Sequence, residues 1–154
     1  MSNFGYCELQ VDLGTGVKLQ RAMAKRLNPE LELIPINKLH ATIMYDVRDP
    51  EIYPSKSSEV YKCKVVGTKI LGEPNSKWYS AALLLDSPEV QARHQQLLKE
   101  GFKHSYDDLL LHVSISYGKT TAALAPILGE MFEAGELPAT VTLCNETWDH
   151  CNDD

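Results

Sequence analysis

Two seven-residue segments of the chain follow one pattern, and this repetition restricts the fold more than any other feature. Leu39-His40-Ala41-Thr42-Ile43-Met44-Tyr45 and Leu111-His112-Val113-Ser114-Ile115-Ser116-Tyr117 both read Leu-His-small apolar-hydroxyl-Ile-x-Tyr. Such alternation belongs to half-buried strands. Side chains two apart on a strand share a face. The first copy is therefore expected to put Leu39, Ala41, Ile43 and Tyr45 on one side and His40, Thr42 and Met44 on the other. The second places Leu111, Val113, Ile115 and Tyr117 opposite His112, Ser114 and Ser116. The two histidines stand 72 positions apart. Each copy buries an apolar face and presents an imidazole beside a hydroxyl.

The segments between the copies fill in the order. Tyr6–Leu13 alternates strictly and reads as a strand, with Tyr6 on its polar face. Thr15–Leu27 turns helical, and Asn28-Pro29 stops it. A strand at 38–46 is followed by a loop through Ser58. β-rich runs at 60–71 and 77–86 flank a turn at Gly72–Ser76. Ser87-Pro88-Glu89 is a helix start, and Gly101 is the expected stop. His94 falls on that helix's apolar stripe with Val90, Leu97 and Leu98, where a histidine is a satisfied core or boundary residue. A strand at 110–117, a helix at 120–134 interrupted by Pro126, and a strand at 139–145 complete the chain. Neighbouring strands joined by short turns predict antiparallel pairing and an α+β class. No linker divides the chain, so residues 1–154 read as a single domain.

Composition narrows the partners. With 44% apolar and 23% charged residues the chain can form a core. The net charge of −6 argues against coating long DNA or RNA, and leaves room for a small anion in a local pocket. Cys7, Cys63, Cys144 and Cys151 form no close-spaced pair and read as free thiols in a reducing compartment. Cys144, His150 and Cys151 lack the further ligand a zinc site needs, so no metal is expected. No apolar run reaches the roughly 18 residues of a membrane span, which predicts a soluble, cytoplasmic protein.

If the two histidine strands meet, two imidazoles and two hydroxyls converge. Cleaving a phosphodiester without a metal needs a base for the nucleophile and an acid for the leaving oxygen. Imidazole serves either role near neutral pH. The hydroxyls of Thr42 and Ser114 can donate to phosphoryl oxygens as charge redistributes. His40, Thr42, His112 and Ser114 are thus the candidate catalytic residues, with acid and base left unassigned.

His40-Ala41-Thr42 and His112-Val113-Ser114 resemble the paired HxT/HxS motifs of the 2H phosphoesterase superfamily, with Ser114 where many relatives carry threonine. The resemblance implies a bilobal α+β fold, one motif from each pseudo-symmetric lobe, and antiparallel sheets lining a central groove with helices outside. It implies phosphodiester cleavage with neither metal nor cofactor. Within the superfamily the Glu146-Thr147-Trp148 segment is most similar to the phage anti-CBASS phosphodiesterases, which degrade cyclic di- and trinucleotide messengers. A phage enzyme of this kind would work in the host cytoplasm. RNA-end processing, either 2′,3′-cyclic phosphate opening or 2′–5′ ligation, is the alternative inside the superfamily. A nucleotide-sequestering protein is the alternative outside it.

On the substrate side, Trp148 lies in what reads as a polar tail and is a candidate for stacking on a base. Glu146 beside it can accept hydrogen bonds from a base edge. Tyr6 can line the groove. Trp78 opens an expected strand and reads as core or rim packing. Lys62 and Lys64 share a strand face and read as solvated.

Overall fold

A computed structural model describes residues 4–27 and 31–151. Six strands and three helices follow in the order β1 (Tyr6–Val11), α1 (Leu13–Ala24), β2 (His40–Tyr45), β3 (Tyr61–Leu71), β4 (Ser80–Asp86), α2 (Pro88–Lys99), β5 (His112–Tyr117), α3 (Thr120–Glu133) and β6 (Thr140–Asp149). The Asn28-Pro29 stop expected for the first helix lies outside the described residues. That helix starts earlier than expected because the Asp12 side chain caps it, accepting from the N–H groups of Gly14 and Thr15. The second helix starts as expected. Ser87 Oγ accepts from Val90 N–H, and Gly101 follows the end with φ +113°, a left-handed conformation that glycine adopts without strain.

All six strands form one antiparallel sheet, ordered β2-β1-β6-β3-β4-β5. One continuous sheet stands where separate sheets were expected. Its order still reads as two halves, β2-β1-β6 and β5-β4-β3, joined between β6 and β3. Each half carries one histidine strand at its outer edge. The outermost strands β2 and β5 come within 8 Å of each other, so the sheet curls almost closed.

The histidine strands both depart from simple alternation, at the same place. Thr42 pairs with Glu8 and Met44 with Cys7, leaving Ile43 as an extra residue. Ser114 pairs with Ala82 and Ser116 with Ala81, leaving Ile115 extra. Each is a β-bulge, which reverses the facing of the residues beyond it. Met44 and Ser116 were expected beside the histidines, and both are instead fully buried on the opposite face. Tyr45 and Tyr117 were expected on the apolar face. They sit instead opposite Tyr6 and Ser80, on the histidine side.

One face of the sheet is the core. Cys7, Leu9, Val11, Ala41, Ile43, Leu83, Val113, Ile115, Val141 and Leu143 are buried there with Val90 and Leu97 of α2 and Leu124, Leu128 and Met131 of α3. Burying each large aliphatic side chain contributes about 1.5–3 kcal/mol. Pro126 lies inside α3 without ending it. Ser116 Oγ pairs with Thr121 Oγ1 at 3.1 Å, satisfying the hydroxyl that the bulge turns into the core.

Candidate active site

The register of the sheet decides which side chains share the open face, because directly opposed residues point the same way. His40 lies opposite Gln10, and Gln10 opposite Cys144. Thr142, two residues from Cys144, lies opposite Lys62. Lys64 lies opposite Asp86, and Leu84 opposite His112. His40, Thr42, His112 and Ser114 therefore stand on one face, opposite to the core. The closing of β2 on β5 brings their two strands together there.

The two imidazoles are held alike. His40 Nδ1 lies 3.0 Å from the carbonyl of Lys38, and His112 Nδ1 lies 2.8 Å from that of Leu110. In both, the acceptor is the backbone oxygen two residues earlier. A carbonyl can only accept, so each Nδ1 carries its hydrogen and each neutral ring keeps its lone pair on Nε2, the nitrogen farther from the backbone. Burial lowers the pKa of His112. The hydrogen bond to Leu110 opposes that shift, and the nearby charge of His40 adds to it.

Each motif hydroxyl meets a partner from the neighbouring strand. Thr42 Oγ1 lies 3.0 Å from the phenol oxygen of Tyr6. Ser114 Oγ donates to Ser80 Oγ at 3.2 Å. Tyr6 and Ser80 occupy equivalent places in the two halves, each opposite the tyrosine that follows the bulge. Tyr117 also hydrogen-bonds Ser114, and burial raises the pKa of both Tyr6 and Tyr117. Both phenols therefore stay neutral at physiological pH and can donate. The halves differ beside the imidazoles. Glu8 stands opposite Thr42 with Oε2 3.9 Å from His40 Nδ1, and its equivalent opposite Ser114 is Ala82.

Two expected substrate contacts sit elsewhere. Strand β6 does not stop at Asn145 but runs to Asp149, across a bulge at Asn145, whose φ is +54°. Trp148 lies opposite Cys7 and thus on the core face, away from the histidines. Its ring packs on Phe102 at a centroid distance of 4.9 Å and meets Phe4 edge-on. Glu146 is buried with Arg93, their side chains only 3% and 5% exposed. Arg93 Nε donates to Oε1 at 2.8 Å, its terminal nitrogen donates to Oε2 at 2.7 Å, and Trp148 Nε1 donates to Oε2 at 3.2 Å. The polar residues that read as a tail are the far end of a strand. Their charge is matched by an arginine distant in sequence.

Trp78 is the reverse case. Strand β4 begins at Ser80, so Trp78 lies in the turn and is 61% exposed. Its ring meets Tyr117 edge-on at 5.8 Å, and Lys77 Nζ lies 5.1 Å from its centroid. Its signal in the sequence was the polar turn Gly72–Ser76 just before it. Lys62 and Lys64 are exposed on the open face, between the two histidine strands in sheet order.

Among the described residues, no group of three or more His, Cys, Asp or Glu side chains is placed to hold a metal ion, Cys144, His150 and Cys151 included. No described helix is long and apolar enough to cross a membrane.

Fold and site together define an α+β protein whose single antiparallel sheet carries duplicated His-x-hydroxyl strands on its open face. A family model described as anti-CBASS protein Acb1 matches residues 6–149, and the chain belongs to that family. Membership gives it an anti-CBASS role against the cyclic oligonucleotide signals of antiphage defence. No curated protein matches the chain in sequence.

Proposed function

We propose that the protein is a phosphodiesterase of the 2H type that opens cyclic di- or trinucleotides, using His40 and His112 as general acid and base. The observation that carries this reading is the pair of imidazoles on one face, each with Nδ1 tied to the carbonyl two residues back. That tie fixes the tautomer and ring plane, so Nε2 of each is the proton-transfer atom.

The environments of the two rings support a division of roles. His112 is the base: burial and the neighbouring imidazole keep it neutral, with a lone pair for the proton of the attacking hydroxyl. His40 is the acid: Glu8 Oε2 lies 3.9 Å from its Nδ1, whereas the equivalent position beside His112 is Ala82. The proton on its Nε2 passes to the departing 5′-oxygen. Thr42, oriented by Tyr6, and Ser114, turning from Ser80, donate to the two non-bridging oxygens. Each acid–base role supplies about 10²–10⁴-fold, or roughly 3–5 kcal/mol. Trp78 offers an exposed indole to a nucleobase, a contact worth about 1–3 kcal/mol per base.

The test is incubation with cyclic GMP-AMP and a panel of cyclic di- and trinucleotides in excess EDTA, with products identified by mass spectrometry. Ring opening unaffected by the chelator is expected. Intact substrates across the panel would sink the proposal, and cleavage confined to RNA 2′,3′-cyclic ends would move the substrate class.

A further inference from the structure

The mechanism leaves unused two histidines beside β2, the buried His94 and the half-buried His104, next to the bulge that shapes the first motif. His94 on α2 is 3% exposed, and its Nδ1 lies 2.7 Å from the carbonyl of Ile43, the extra residue of that bulge. His104 follows α2 in a loop, and its Nδ1 accepts from the N–H of Tyr45, two residues further along the strand, at 3.1 Å. The rings meet edge-on at 4.8 Å.

Bulges leave backbone groups that the ladder does not pair, and unpaired buried groups are costly. In the second half the same group is tied differently. The carbonyl of Ile115 accepts from the backbone N–H of Ile34 at 2.8 Å. Both bulges are thus fastened from outside the sheet, one by main chain and one by an imidazole. Thr42 directly precedes the carbonyl that His94 holds.

We propose that His94 is a positioning residue for the first half of the active site. Its Nδ1–H fixes the Ile43 carbonyl, and thereby sets where the Thr42 hydroxyl stands relative to Tyr6 and the scissile phosphate. The inference rests on the phosphodiesterase reading and names a part of its machinery. His104, holding Tyr45 N–H, fastens the next link of the same strand.

The test is a double-mutant cycle between His94→Leu and Thr42→Ala, read as kcat and KM separately on cyclic GMP-AMP. His94→Leu alone is expected to lower kcat by about 10- to 100-fold, the scale of a misplaced catalytic group, with KM little changed. In the Thr42→Ala background it should cost nothing further. Full additivity, or an unchanged kcat, would overturn the proposal. Loss of melting temperature does not by itself imitate this coupling. If His94→Leu fails to fold, His94→Asn and His94→Gln decide the matter. Asparagine places its amide near the Nδ1 position and should keep kcat. Glutamine places it nearer Nε2 and should not. Equal, wild-type kcat in both would overturn the clamp. A wild-type rate for Thr42→Ala itself would instead strike the proposed catalytic role of Thr42, so the two failures are distinguishable.

Discussion

The two halves of the sheet are alike in what holds their imidazoles and unlike in what surrounds them. Both have a histidine tied to its own strand, a hydroxyl two residues later, a bulge at the following isoleucine and a tyrosine returned to the open face. Around the first motif stand Glu8, Tyr6 and, holding the Ile43 carbonyl, His94. Around the second motif stand Ala82, Ser80 and the main chain of Ile34. What is shared is the geometry that fixes each imidazole on the open face. What differs is the charge and packing on which the proposed division into acid and base rests.

The largest structural asymmetry is the buried Arg93–Glu146 pair behind β1 and β6, which also engages Ser55 and Trp148. Removing one member leaves the other charge buried, at about 3–5 kcal/mol. Arg93→Met should therefore lower the melting temperature sharply. A stable Arg93→Met protein would show that this half needs no such brace.

The tryptophans provide the next contrast. Trp78→Leu should raise KM about tenfold and leave kcat and the melting temperature near wild type, as for a lost base stack. Trp148→Leu should do the opposite, lowering stability through its contacts with Phe102 and Phe4. Reversed outcomes would return substrate recognition to the strand end at β6.

A further contrast is in stability against pH. Burial beside His94 lowers His104 from 6.5 to about 4. As pH falls below 6.5 the unfolded chain takes up a proton that the native protein refuses until about 4. Stability should decline over that window and be complete above it. Chemical denaturation of wild type and His104→Asn should show this slope only in the wild type, and parallel slopes would contradict the assignment.

The candidate catalytic face is legible in the sequence because a strand's period of two and the repeated motif agree on where His40, Thr42, His112 and Ser114 point. It did not reveal the bulges. An extra isoleucine in each strand looks like one more apolar residue, so simple alternation puts Met44, Tyr45, Ser116 and Tyr117 on the wrong faces. Strand β6 was cut short because Asn145 and the polar residues after it resemble a tail. Their burial depends on Arg93, which no local pattern connects to Glu146. Trp78 misled in the opposite direction, since an aromatic before an apolar run resembles a strand start. Local periodicity fixed what each strand can do alone, and the missing information lay in contacts between distant segments.

The central claim is that two imidazoles act on one phosphorus as a unit. Single-turnover rates on cyclic GMP-AMP for His40→Ala, His112→Ala and the double variant, each checked for an unchanged melting temperature, address it most directly. Groups that work together do not add, so either single substitution should abolish nearly as much rate as both. A fully folded single variant cleaving at close to the wild-type rate would contradict it.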